Sequence, residues 1–480
     1  MHPIAHPPVT GALLAAADLL FDFSRHPIAQ GSWQQSLATL QRVDLAAHRT
    51  ALVTGAIVNV TEQRAATHMQ ARDPSLSTTR DMVERTSALA TRIAASGVTT
   101  VVNIGIGGSD LGVQLTADVF AAAGLKRRLD LRFLSGLDPA EWRQAVATLD
   151  PQSTAFIVAS KSFGTLETIE LAAIARRWLG ADANRRLYAV TSHPARAEAW
   201  GIDPDHVVPL DQTLGGRYSL WGGLNLALRA AWGDEPVADL LAGAHAMDQH
   251  FVRSPLDRNA PVMAAIARFI NRNQRGLSSH AVVPYCWGLR RLPAYLQQLI
   301  MESLGKGVRR DGSDLDCDPC SAVWGATGTG AQHAFFQWLH QHPVGACVDL
   351  IAVRPEPNER GSMIQFASAV AQAQALALGH QPAQAHAKAR HASAPGGRPS
   401  TFIALPEVSP HSLGALLSFY EASVFVESLL CDVNPFDQFA VEFGKQLIRD
   451  AEAALQGSAD ASLDAQSKAL LHWARLAPTS

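Results

Sequence analysis

Apolar positions along this chain fall into two alternating patterns. Short, largely apolar and partly β-branched runs at 99–104, 129–134, 154–159 and 187–191 are separated by stretches long enough for crossover helices. That alternation predicts a doubly wound parallel sheet with helices on both faces. A second series, 279–284, 347–353 and 401–405, begins after a helical connection around 235–275. The expected architecture is therefore α/β, with two doubly wound parallel-sheet domains in tandem. Residues 1–75 read as a mostly helical N-terminal arm, 76–240 as the first domain, 241–435 as the second and 436–480 as a C-terminal helical segment. Two long helices are expected near the end, 413–431 and 436–455, divided by Asn434-Pro435, with Asp437 in the first turn of the second. The Ala-, His-, Gln- and Pro-rich stretch 379–400 has no apolar period and reads as a mobile surface loop.

Composition narrows the function classes. At 480 residues and 47% hydrophobic, the chain can bury a large core. Forty basic residues against 43 acidic give a net charge of -3, which offers no field for nucleic acid or an anionic membrane, so any anion must be bound locally. The apolar run 11–23 is broken by Asp18 and Asp22 and has no basic leader, so it is expected to be neither a signal peptide nor a membrane span. Cytoplasmic residence is the resulting expectation. Five cysteines, an odd number in a long chain, suit reduced thiols. Cys317 and Cys320 make a C-x-x-C, yet no second pair stands at zinc-like spacing, and incidental free thiols are the simpler reading. No metal site is expected.

Four stretches carry candidate chemistry. In Tyr-Leu-Gln-Gln-Leu-Ile-Met-Glu-Ser-Leu-Gly-Lys (295–306), Leu296, Leu299, Ile300 and Leu304 form one helical stripe, while Gln298 and Glu302 share the opposite face. Pro293 suits the start of that helix and Gly305 its end. Glu302 near the C-terminal end is a candidate general base, although a lone helix Glu is ordinarily a solvated one. Asn-Ile-Gly-Ile-Gly-Gly-Ser-Asp-Leu-Gly (103–112) takes a strand through glycines into a helix, so backbone N–H groups can approach an anion. Its spacing is G-x-G-G-x-x-x-G without a following acidic partner, which argues against a dinucleotide fingerprint. Ser-Lys-Ser-Phe-Gly-Thr-Leu-Glu-Thr (160–168) places the hydroxyls of Ser160, Ser162 and Thr165 at another strand-to-helix turn, suited to a phosphate dianion or, more plainly, to capping. Gly-Gly-Arg-Tyr-Ser (215–219) would hold Arg217, charged at any working pH, where a developing oxyanion could be neutralised.

Together, and in this order, these stretches resemble the phosphoglucose isomerase family. The resemblance runs through 59–72, 103–112, 160–168, 215–221, 295–306, 325–340 and 436–446. It implies two sugar-isomerase domains and interconversion of glucose 6-phosphate and fructose 6-phosphate through a cis-enediolate, in glycolysis and gluconeogenesis. By resemblance, Ser160, Ser162 and Thr165 hold the sugar phosphate, with Gly108, Ser109 and Lys161 lining the same pocket. Glu302 carries the proton between C1 and C2, and Arg217 stabilises the intermediate. His333 and Lys445 assist ring opening, and Gln298 and Gln438 contact the sugar. No metal or cofactor is implied. The resemblance also implies a homodimer in which His333 crosses from the neighbouring subunit. Departures from the family pattern are Ile300, Leu304, Gly164, Ala326, Thr327, Gly330 and Ala331; the loop orienting His333 has lost a proline and is expected to be more flexible. Two other readings stay open: a non-catalytic sugar-phosphate-binding regulator, and an isomerase for a related sugar such as mannose 6-phosphate.

Overall fold

A computed structural model describes residues 13–382, 388–457 and 462–475. The chain forms two units, Met1–Pro435 and Phe436–Ser480. The first unit opens with a hairpin, β1 (Leu14–Ala16) and β2 (Leu19–Asp22), and after two helices a second small hairpin follows, β3 (Ile57–Asn59) and β4 (Arg64–Ala65). The next five strands are β5 (Thr100–Ile104), β6 (Asp130–Leu134), β7 (Thr154–Ala159), β8 (Leu187–Thr191) and β9 (Val207–Pro209). They form a parallel sheet in the order β6-β5-β7-β8-β9. Every residue of β5, β7 and β8 is buried, as a parallel sheet covered on both faces requires. One face packs Val102, Ile104, Phe156 and Val158 against Leu171 and Ala175 of the helix Leu166–Leu179.

The second sheet contains β10 (Ser279–Tyr285), β11 (Ala322–Gly325), β12 (Cys347–Val353) and β13 (Ser400–Leu405), in the order β1-β2-β13-β12-β10-β11. Strands β10 to β13 are mutually parallel. Here the expectation needs correcting. The N-terminal arm is not simply helical, because β2 pairs antiparallel with β13 and β1 with β2, so the second sheet is mixed. The turn Ala17-Asp18 has φ of 45° and 64°, the mirror-image geometry that matches hairpin twist. The run read only as apolar and interrupted by Asp18 thus closes what would be a bare edge at β13. Residues 1–12, the beginning of the expected arm, lie outside the described residues. The short strands β9 and β11 were also not expected, being too brief to show a pattern. Of the expected surface loop 379–400, the described part has a bridge between His380 and Ala394 and one helical turn, Ala389–Ala392; 383–387 lie outside the described residues.

Between these sheets in sequence run the helices Asp234–Arg253 and Ala260–Arg275, and both pack on the helix Pro410–Cys431. Pro410–Cys431 is long and apolar enough to cross a membrane, yet it is buried within the protein and carries two paired glutamates. Glu421 accepts from Arg72 Nη1 (2.5 Å) and from Trp221 Nε1 (2.7 Å). Arg72 also forks onto Asp248, Nε to Oδ2 at 2.5 Å and Nη2 to Oδ1 at 2.6 Å, and stacks over the Trp221 ring at 4.6 Å. Burial works against the charge of Arg72, but Asp248 and Glu421 more than offset it and hold its pKa above the ordinary range. Further along, Glu427 accepts from Arg268 (2.6 Å) and Arg272 (3.0 Å).

In the C-terminal unit the helix starts at Ala440 rather than 436 and runs to Leu455, with Glu442 instead of Asp437 in its first turn. Phe439 caps it without a side-chain hydrogen bond. A second helix, Ala465–Arg475, follows.

Breaking a buried, hydrogen-bonded ion pair from one side leaves charge without a partner. Arg72→Met is expected to destabilise the protein by about 3–5 kcal/mol in denaturant unfolding. Adding Glu421→Gln should recover part of that loss, and an unchanged midpoint in the single variant would count against the network.

Candidate active site

In the first sheet the chain runs outward from β5 to β6 and then returns to the other side of β5 to form β7. The loops leaving the C-terminal ends of β5 and β7 therefore flank a switch point, where open α/β sheets bind ligands. Both glycine- and hydroxyl-rich stretches lie there.

After β5 the backbone makes a tight turn, Gly107–Ser109, and enters the helix Leu111–Ala122. Asn103 Nδ2 donates to the Ser109 carbonyl at 3.3 Å and ties the turn down. Gly107 has φ of 56°, and a Cβ on it would stand 3.0 Å from Gln298 Nε2. A Cβ on Gly108 would lie 1.9 Å from the Gly216 carbonyl oxygen, so only glycine lets these two loops touch. That contact joins the turn to the residue before Arg217. Next along, burial pushes Asp110 up to about 6, opposed by hydrogen bonds from Gln114.

After β7, Ser160 is buried and its Oγ lies 3.3 Å from Thr165 Oγ1. Thr165 stands at the start of the helix Leu166–Leu179 without a side-chain capping bond. Ser162 is exposed. Between them Phe163 has φ of 44°, a left-handed conformation that costs an aromatic residue strain and is maintained here by burial against Trp200. Lys161 Nζ donates to the carbonyls of Gln212 (2.8 Å) and Leu214 (2.6 Å). Burial, aided by the nearby Arg64, pushes Lys161 down to about 8, against the pull of Glu62 and Asp211.

Arg217 occupies the 3₁₀ stretch Gly216–Trp221 and is 2% exposed. Its Nε donates to Ser303 Oγ at 2.6 Å, its Nη2 donates to the Pro435 carbonyl, and its Nη1 lies 3.3 Å from Glu302 Oε2. The Tyr218 hydroxyl is 3.1 Å from Ser303 Oγ, and the His68 ring stacks on Tyr218 at 4.7 Å. Glu302 keeps 24% side-chain exposure, enough to face an incoming ligand. The helix bearing it is not the regular one expected: Leu292–Leu296 is α-helical, and Gln297–Glu302 widens into a π turn. Such turns recur at functional sites, and this one buries Leu299 and Ile300 while Glu302 and Ser303 both reach Arg217. Ser303 and Tyr218 were not singled out from sequence. Each is adjacent to a residue that was, and only folding shows that they share Arg217.

The remaining candidates are His333, Gln438 and Lys445. His333 ends the helical turn Gly328–Gln332 and is exposed. Its loop is anchored by Gln332 Nε2 donating to the Tyr285 hydroxyl at 2.7 Å and by Gly328, where a Cβ would meet the Tyr285 ring at 2.3 Å. Gln438 and Lys445 belong to the C-terminal unit, where Lys445 pairs with Glu442 at 2.6 Å.

A family model described as phosphoglucose isomerase matches residues 22–471. The chain belongs to the phosphoglucose isomerase family. A glucose-6-phosphate isomerase of Xanthomonas oryzae pv. oryzae is 41% identical over 465 residues, covering 94% of this chain and 91% of the relative. One from Xanthomonas campestris pv. campestris is 40% identical with the same coverage. Among solved structures, a glucose-6-phosphate isomerase from Chlamydia trachomatis superposes with a TM-score of 0.85 at 27% identity, covering 96% of this chain and 92% of that one. A hypothetical protein of Thermus thermophilus superposes with a TM-score of 0.69 at 26% identity, covering 91% and 100%. The α/β architecture of the phosphoglucose isomerase family is thus the architecture of this chain.

If Lys161 lines an anion pocket, as the family resemblance implies, binding there is expected to depend on pH. With its pKa lowered to about 8, the ammonium is charged below that pH and neutral above it. Affinity for inorganic phosphate, measured by calorimetry, is expected to fall roughly tenfold as pH rises through about 8. Lys161→Met should flatten that fall; affinity climbing steadily to high pH would overturn it.

Proposed function

We propose that this chain interconverts glucose 6-phosphate and fructose 6-phosphate by moving a proton between C1 and C2 of the open-chain sugar. The observation that carries the reading is the placement of Glu302 Oε2, from the second-sheet half of the unit, 3.3 Å from the buried Arg217 guanidinium, which follows the sheet whose β5 and β7 loops would form the anion pocket. Moving a proton between adjacent carbons needs one base serving both positions, and an exposed carboxylate face suits that task. The enediolate formed on the way bears negative charge on oxygen. A guanidinium already oriented by Ser303, Pro435 and Glu302 meets it without rearranging.

In this reading the phosphate is held by Ser160, Ser162 and Thr165, by Lys161 and by the backbone of Gly108 and Ser109, with Gln298 beside Gly107 contacting the sugar. The contribution of Gln438 and the shared role of Lys445 and His333 in ring opening rest on the family resemblance alone. The exposed His333 ring supports a homodimer in which each histidine serves the neighbouring subunit's site. No step calls for a metal or redox cofactor. Five free cysteines suit a reducing cytoplasm, the compartment in which glycolysis and gluconeogenesis would use this reaction.

Two measurements test the reading. In a coupled dehydrogenase assay with fructose 6-phosphate, Glu302→Gln should lose on the order of 10²–10⁴ in kcat with KM little changed. Equal activity in both proteins would remove Glu302 from the role of base. For the shared site, differently tagged His333→Ala and Glu302→Gln chains are co-expressed and the mixed dimer isolated. One of its two sites then has both native groups, so about half the wild-type activity should return; a mixed dimer as inactive as its parents would put each histidine in its own subunit's site.

A further inference from the structure

The C-x-x-C of the sequence is not a pair in the fold. Cys320 Sγ lies against the carbonyls of Ser321 (3.4 Å) and Ile300 (3.8 Å), and burial pushes its thiol up to about 12. Cys317 instead lies near Cys431, the last residue of the buried helix Pro410–Cys431: Arg272 donates both to the Asp318 carbonyl next to Cys317 (2.7 Å) and to Glu427, one turn before Cys431 (3.0 Å), and the two thiols perturb each other's titration. Cys317 is partly exposed and Cys431 is buried.

Arginines fix the chain on both sides of Cys317 and just after Cys431. Asp316 accepts from Arg309 at 2.6 Å, just before Cys317, and Arg272 Nε donates to the Asp318 carbonyl at 2.7 Å just after it. Asp432, following Cys431, accepts from Arg310 Nε at 2.5 Å, and its carbonyl accepts from the Arg310 N–H at 2.8 Å. A cavity of about 540 Å³ opens here, lined by Arg42, Arg309, Arg310, His48, Cys431 and Asp432 among others. Solvent-borne small molecules therefore have a route to Cys431, with Asp316, the residue before Cys317, on the same wall.

We propose that Cys317 and Cys431 are an oxidisable dithiol, a modification site at which a hydroperoxide drives formation of a disulfide. The neighbouring Cys431 thiol holds the Cys317 thiol below its usual range; burial and Asp316 oppose this, and Arg272 and Arg309 assist it. Cys317 as thiolate attacks one oxygen of hydrogen peroxide. The S–O bond forms, the O–O bond breaks, and hydroxide leaves to take up a proton as water. Cys431 sulfur then attacks the sulfenic sulfur, forming S–S and breaking S–O, and the second water departs with the Cys431 proton. Two thiols and one peroxide become one disulfide and two waters; sulfur is oxidised and peroxide oxygen reduced.

The bond would join the loop that follows Glu302 to the segment leading to Pro435, whose carbonyl holds Arg217. The two chain segments that position the candidate active-site cation would then be tied together. This inference concerns the thiols and does not depend on the isomerase reading.

The test exposes the full-length protein, without reductant, to stoichiometric hydrogen peroxide and maps the products by peptide mass spectrometry. The expected result is a single cross-linked peptide pair joining Cys317 to Cys431, loss of two of the five free thiols, and reversal by dithiothreitol. Cys320→Ser should leave the cross-link yield unchanged, and Cys431→Ser should stop Cys317 at a sulfenic acid that dimedone traps. A Cys317–Cys320 cross-link, first oxidation at Cys286, or over-oxidation of Cys317 without a cross-link in the wild-type protein would each overturn the proposal, whatever the folding of the variants.

Discussion

Much of the first unit depends on one guanidinium buried among two carboxylates. Arg72 comes from a short 3₁₀ turn early in the chain, Asp248 from the helix Asp234–Arg253 and Glu421 from the helix Pro410–Cys431. Each of these charges taken alone would be costly to remove from water, and together they satisfy one another. Ser418 completes the set, accepting from Arg72 at 3.2 Å and donating to Asp248 at 2.8 Å. A shifted register in any of the three segments would leave a buried charge without its partner, so the network works as a specificity device as much as a source of stability.

The same network reaches the candidate active site through Trp221. Its indole N–H donates to Glu421, its ring stacks on Arg72, and it ends the 3₁₀ stretch that begins at Gly216 and includes Arg217. Arg217 is thereby fixed from behind by the core and in front by Ser303, Pro435 and Glu302. A cation held this way needs little reorganisation when negative charge develops beside it. The close approach of Gly108 to Gly216 extends this order to the Gly107–Ser109 turn. At Phe163 packing against Trp200 holds the loop after β7 in a strained left-handed shape its sequence would not choose unaided.

Paired charge also explains how a helix as apolar as Pro410–Cys431 belongs to a protein interior. Its two glutamates face Arg72 on one side and Arg268 with Arg272 on the other. Length and hydropathy alone cannot separate a membrane span from a core helix; ion-pair partners from other segments do so here. The end of this helix brings Cys431 to Cys317, so the element that organises the core also brings together the thiols of the proposed oxidation site.

The sequence by itself determined the α/β class, most of the central strands and the loops where chemistry is concentrated. These are local properties: β-branched runs between helical stretches, glycines and hydroxyls at strand-to-helix turns, and a carboxylate on one helix face. Cys347–Val353, Thr154–Ala159 and Leu187–Thr191 fall where the apolar runs end, because solvent exclusion acts on each run separately. Tertiary structure alone decided what depends on distant partners. The hairpin Leu14–Asp22 became strands because β13 offered an edge, the regular helix at Glu302 widened into a π turn around its buried Leu299 and Ile300, and Cys317 found Cys431 rather than its near neighbour Cys320. Ser303 and Tyr218 acquired their place beside Arg217 in the same way, since a hydrogen bond between residues far apart in the chain leaves no periodic trace in the sequence.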